Sequence, residues 1–132
     1  AIDMTRHTDK NISCGGSAIL ATSIINDVGF DSWMSKWLDF SVRGKSNEDL
    51  KSCLFLGISA SGTSKNVVEA MEWSAQRGMR VAVITAKPLY KGVKGATVVE
   101  LGVDYYHTAE VLTLALFYQL IEGAGFTCPK IS

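Results

Sequence analysis

The sequence has no excess of charge of either sign: Lys plus Arg and Asp plus Glu stand at 13 each in 132 residues. Without a net field there is no electrostatic reason to expect nucleic acid or an anionic membrane as a partner. No apolar run reaches the ~18 residues that a membrane-spanning helix requires. The longest, "VLTLALFYQLI" at 111 to 121, has the length of a buried helix. Cys14, Cys53 and Cys128 are odd in number and none sits at CxxC spacing, which argues against a disulfide framework and a structural zinc site. Reduced thiols in a cytoplasmic protein are expected instead. No low-complexity tract interrupts the chain, and its first residues carry no signal-peptide pattern. Ala1 opens a strand-like stretch without an initiator Met, so a processed, excised or N-terminally incomplete chain is expected.

What is present is a regular alternation. At this length a single domain over 1–132 is expected. "AIDMT" at 1 to 5 suits a short strand, followed by a polar stretch. "SAILATSIINDV" (17 to 28) and "FDSWMSKWLDFSV" (30 to 42) have helical apolar spacing, and "RGKSNEDLKS" (43 to 52) reads as a charged connection with a helical turn near Leu50. "CLFLGIS" (53 to 59) predicts a fully buried strand, and "SKNVVEAMEWSAQR" (64 to 77) a helix stopped by Gly78. "MRVAVIT" (79 to 85) and "ATVVEL" (96 to 101) predict two further strands, and a helix from about His107 to Glu122 ends at Gly123. Strands without polar alternation, separated by helices, imply an α/β fold. We expect a three-layer, flavodoxin-like sandwich on a parallel sheet of about four or five strands, covered on both faces. Ligands in such sheets bind at the C-terminal edge, where Ser59 falls.

"GISASGTS" follows a strand and opens a helix. Gly62 permits a tight turn and close backbone approach, while Ser61, Thr63 and Ser64 lie at N-cap positions beside the helix's positive end. Several hydroxyl donors at such a place describe an anion hole, most plausibly for phosphate, although the same residues also suit a plain capped turn. Gly57 and Gly62 copy the glycine spacing of a Walker A loop, but Thr63 stands where that loop needs Lys. No GxGxxG is present either, so neither nucleotide hydrolysis nor a dinucleotide cofactor is expected. Hydroxyls and amides without a fixed cation fit a phosphorylated sugar. Lys65 in the first turn is expected to face solvent.

The stretch "LGISASGTSKNVVEAMEWSAQRGMRVAVITA" resembles the phosphosugar-binding SIS (sugar isomerase) domain, in its phosphoheptose isomerase branch. Ser59, Ser61, Gly62 and Ser64 meet the Ser-x-Ser-Gly-x-Ser pattern, and "NDVGFDSWMSKWL" (26 to 38) is similar to the segment that precedes this strand there. The resemblance covers roughly residues 17 to 122. It implies a flavodoxin-like sheet, phosphate held by the serines, aldose–ketose isomerisation and a homodimer or homotetramer. It further implies that Asp104 lies near the substrate. "CGGSA" (14 to 18) only superficially matches an earlier Gly-Gly-Ser loop of that branch and is read as a turn. Counted back from "QLIE", Ala115 falls where the branch carries a catalytic His, and His107 where it carries a Gln.

His107 and Glu110, three residues apart, are the candidate acid–base pair. Alternatively they are two ligands of a metal completed elsewhere, or an exposed His beside a Glu that complements the helix dipole. No metal and no cofactor is expected from the motifs. His7 is expected to be solvated. Trp33 and Trp37 suit a core or an interface, and Trp73, on a polar helix face, suggests contact with another subunit. Lys87, Lys91 and Lys94 form a basic loop after a strand. The leading reading is a sugar-phosphate isomerase. The alternatives are a non-catalytic sensor or assembly module that kept the phosphate loop, and a fragment whose site is completed by other sequence.

Overall fold

The computed structural model describes residues 12–13, 15, 18–89 and 91–128. Five helices and three strands follow one another in these residues: α1 (Ala18–Val28), α2 (Trp33–Ser41), α3 (Asn47–Ser52), β1 (Leu54–Ser59), α4 (Lys65–Gln76), β2 (Arg80–Thr85), β3 (Thr97–Glu100) and α5 (Tyr106–Gly123). The strands form one parallel sheet in the order β1-β2-β3, with Leu54 opposite Arg80 and Ala82 opposite Thr97. The α/β class and the parallel sheet are as expected. The described residues hold three strands; the proposed strand at 1–5, His7 and most of the "CGGSA" stretch lie outside them.

Helix α4 is the crossover between β1 and β2, and its apolar stripe builds the core. Val67 and Met71 pack with Val81 and Val83, and Phe55, Met34 and Leu89 close around them. Gly57 makes the close approach possible, because a Cβ there would stand 2.9 Å from Val67 Cγ1. The helix ends as its sequence dictates: Gly78 has φ +77°, and Met79 N–H donates back to Ser74 C=O at 3.1 Å. Helix α2 packs on α4, and α1 packs on α2. Trp73 belongs to this layer: it lines a cavity with Ser32, Ser35 and Asp39 of the α2 region, and the Arg77 guanidinium sits 3.8 Å from its ring. The polar-face tryptophan is thus partly covered by its own chain.

The other side of the sheet is less complete. Leu54, Leu56 and Ile58 alternate with the core-facing residues of β1 and point to the α5 side. Leu54 is 54% exposed and Ile58 51% exposed. The expectation of a fully buried strand therefore fails for this face. Helix α5 buries Ala109 and Thr113, yet leaves an open, apolar cavity of about 250 Å³ that Ile58, Ile84, Leu101 and Phe117 line. The connection at 43–52 also holds more structure than its charge suggests. Ser46 caps α3, with its Oγ accepting from Asp49 N–H and the Asp49 carboxylate accepting from Ser46 N–H, a reciprocal capping box.

Candidate functional site

The C-terminal ends of β1, β2 and β3 lie on one edge of the sheet, and the candidate residues gather there because parallel strands place their following loops together. At the end of β1 the chain turns sharply. Gly62 N–H donates to Ser59 C=O at 3.0 Å, and Gly62 takes φ +69°. Glycine is required twice over at this position. The backbone lies in the left-handed region, and a Cβ would approach Pro88 O to 2.6 Å and Lys87 O to 3.0 Å. Ala86 N–H donates to Ala60 C=O at 3.1 Å, so the serine loop is fastened to the loop after β2.

The hydroxyls are organised rather than loose. Ser59 is 3% exposed and its Oγ donates to Ser64 Oγ at 2.9 Å. Ser61 Oγ accepts from both Thr63 N–H (3.2 Å) and Thr63 Oγ1 (2.9 Å). Ser64 is the N-cap residue of α4, but its side chain makes no capping hydrogen bond and accepts from Ser59. Val67 N–H is taken up by Ser64 C=O and Asn66 Oδ1, so the amides of Lys65 and Asn66 are the first-turn donors left at the positive end of the helix dipole. The turn thus gathers hydroxyl and N–H donors beside a helix N-terminus, a chemistry suited to an anion such as phosphate. Lys65, in the first turn, is exposed and pairs with Asp31 at 3.8 Å.

Two residues at this edge, Asn66 and Thr85, escaped the sequence reading, whereas Lys87 was named there as part of a basic loop. Asn66 is buried, and its Oδ1 accepts from Val67 N–H at 3.0 Å. Thr85 is buried at the end of β2 and donates its hydroxyl to Lys87 C=O. Lys87 itself forms an ion pair with Asp104, and this neighbouring ammonium holds the Asp104 carboxyl below the usual carboxylate range. Position was the available signal, since Lys87 stands two residues past a strand end. Of the other loop lysines, Lys91 pairs with Glu72 of α4 at 2.5 Å.

The candidate proton-transfer residues are placed differently. His107 is exposed at the start of α5, and its ring stacks on Tyr105 with centroids 5.5 Å apart. The N-cap of this helix is Tyr105, and it makes no side-chain capping bond. Glu110 lines the cavity between α5 and the sheet, and Ala60 of the serine loop lines the same cavity. Among the described residues no hydrogen bond joins His107 or Glu110 to the serine loop, and no group of three or more His, Cys, Asp or Glu could hold a metal ion.

Comparison with known proteins gives a consistent direction. The chain is 30% identical over 119 residues to a protein named phosphoheptose isomerase from Enterobacter sp. (strain 638), an alignment covering 86% of this chain and 53% of that protein. A protein of the same name from Yersinia pestis is 29% identical over 105 residues, covering 75% of this chain and 50% of the other. The chain thus spans about half the length of the curated relatives it matches. The solved structure of a phosphoheptose isomerase from Neisseria gonorrhoeae superposes with a TM-score of 0.67 at 24% identity, covering 80% of this chain and 57% of that one. Its fold is therefore shared. No protein-family model matches the chain.

Proposed function

We propose that residues 1–132 form a single SIS-type phosphosugar-binding domain that acts as a sugar-phosphate isomerase interconverting aldose and ketose. The observation that carries this reading is the serine loop. The Ser64 side chain accepts from Ser59 and makes no cap bond to its own helix, and hydroxyl and N–H donors of residues 61 to 66 lie together at the C-terminal edge of a parallel sheet. Similarity to proteins named phosphoheptose isomerase supports a phosphorylated sugar as the ligand.

In this reading Ser61, Thr63 and Ser64 grip the phosphate, with Gly62 allowing close approach and Ser59 holding Ser64 in place. Gripping the phosphate fixes the sugar, which converts proton transfer into a positioned, intramolecular event. The reaction removes a proton from the carbon beside the carbonyl and returns one to the former carbonyl carbon, while the hydroxyl proton shifts between the two oxygens. Glu110 and His107 are assigned to this proton traffic, Glu110 because it lines the cavity that reaches Ala60. Asp104 is assigned to a sugar hydroxyl. The exposed apolar residues of α5, such as Val111 and Leu114, support assembly as a homodimer or homotetramer. A cytoplasmic setting fits the free thiols of Cys53 and Cys128.

Calorimetric titration with sedoheptulose 7-phosphate tests the reading. Binding by the unmodified chain that disappears in a Ser61→Ala, Ser64→Ala double variant is the expected result. Equal binding by both proteins contradicts the phosphate assignment, and binding without any turnover points to a sensor in place of an enzyme.

A further inference from the structure

Among the described residues Lys65 pairs with Asp31, and Lys91 pairs with Glu72. Lys87 is different. Its backbone carbonyl lies 3.0 Å from where a Cβ of Gly62 would stand, so its main chain abuts the centre of the serine loop. The buried Thr85 hydroxyl fixes that backbone by donating to the same carbonyl, and Ala86 ties it to Ala60. A hydrogen-bonded main chain and a half-exposed side chain are thus combined in one residue. The Lys87 side chain is 48% exposed and its ammonium rests on Asp104, itself 79% exposed.

We propose that Lys87 is an exchangeable counter-ion: in the free protein it pairs with Asp104, and on ligand binding it transfers to the phosphate held by the serine loop, which frees the Asp104 carboxylate for the sugar. This rests on the reading of the serine loop as a phosphate site. An exposed ion pair is worth little, so releasing it opposes ligand binding only weakly. A phosphate dianion offers the ammonium twice the charge of a carboxylate, together with several acceptor oxygens. The flexible four-carbon stem of lysine allows both positions from one anchored backbone. Asp104 gains as well. While paired with Lys87 its carboxylate accepts from the ammonium; once released, it accepts from a sugar hydroxyl. One side-chain movement therefore couples phosphate capture to readiness of the sugar-facing carboxylate, and ligands without phosphate leave the pair closed.

The test compares inorganic phosphate with sedoheptulose 7-phosphate by calorimetry, on the unmodified chain and on Lys87→Met, Lys87→Arg, Asp104→Asn and the Ser61→Ala, Ser64→Ala variant. We expect Lys87→Met to weaken both ligands by roughly tenfold, Lys87→Arg to restore most of the loss, and salt to matter less in Lys87→Met. Asp104→Asn should split the ligands. It releases Lys87 in advance and so tightens inorganic phosphate by about two- to fivefold, while it weakens the sugar phosphate. A merely structural role for the pair moves both ligands in the same direction and overturns the exchange. Loss of binding in the serine variant with Lys87→Met unchanged also overturns it, while leaving the phosphate loop intact. Binding unaffected by the serine substitutions overturns the loop reading and this inference with it.

Discussion

The two faces of the sheet are built from equally apolar sequence and end up in different conditions. On the α4 side Val67, Met71 and Val83 are buried by their own chain. On the α5 side Leu54, Ile58, Val111 and Leu114 keep about half or more of their surface exposed. The serine loop runs from β1 into α4, so the proposed phosphate grip is anchored to the closed side. Glu110 and His107 ride on α5, the open side. Grip and proton chemistry are thus assigned to regions of unequal completeness: the first is built by local chain, while the second depends on what covers α5 in the assembled protein.

The largest effect separates the two roles directly. Glu110→Gln is expected to lower turnover by roughly 10²–10⁴-fold, with sugar-phosphate affinity changed little. Parallel loss of affinity would mean that the open side also grips. A comparable contrast is expected in stability. Met71→Ala, in the closed core, should cost about 2–5 kcal/mol by chemical denaturation, whereas Leu114→Ala should fall within about 1 kcal/mol. Equal costs would erase the distinction between the faces. Gly62→Ala comes next, at about 1–2 kcal/mol for the left-handed backbone alone, with phosphate binding lost because the loop must also retreat from Pro88.

The smallest effect concerns the edge that joins the two sides. Asp104 has its carboxyl depressed by Lys87, so the pair contributes stability above the ordinary carboxylate range and loses it as pH falls through the depressed folded value. The stability difference between the unmodified chain and Asp104→Asn should therefore be slight near neutrality and vanish in acid. A difference that persists in acid would show that Asp104 acts through packing instead of charge.

Much of the closed side was legible in the sequence. The helical period of "SKNVVEAMEWSAQR", the stop at Gly78 and the apolar runs of β1 and β2 are local signals, and the structure follows them closely. The Ser46–Asp49 capping box went beyond the sequence reading, which gave 43–52 only as a charged connection with a helical turn near Leu50. Other features were not legible either. Burial of β1 on both faces was inferred from an unbroken apolar run, but a run records only what a face can tolerate, not what packs on it. Ser64 occupies the cap position, yet whether its hydroxyl caps the helix or bonds Ser59 depends on the turn at Gly62. The Lys87–Asp104 pair joins residues 17 apart whose meeting follows from the register of β2 against β3.

The most direct test of the account is a backbone amide NMR titration of the chain with inorganic phosphate. The account predicts that the largest shifts fall on the N–H groups of residues 61 to 66, with smaller ones at Lys87 and none along α5. Shifts that leave residues 61 to 66 unmoved, or that cluster on α5, would contradict a phosphate site built by the serine loop on the closed side of the sheet.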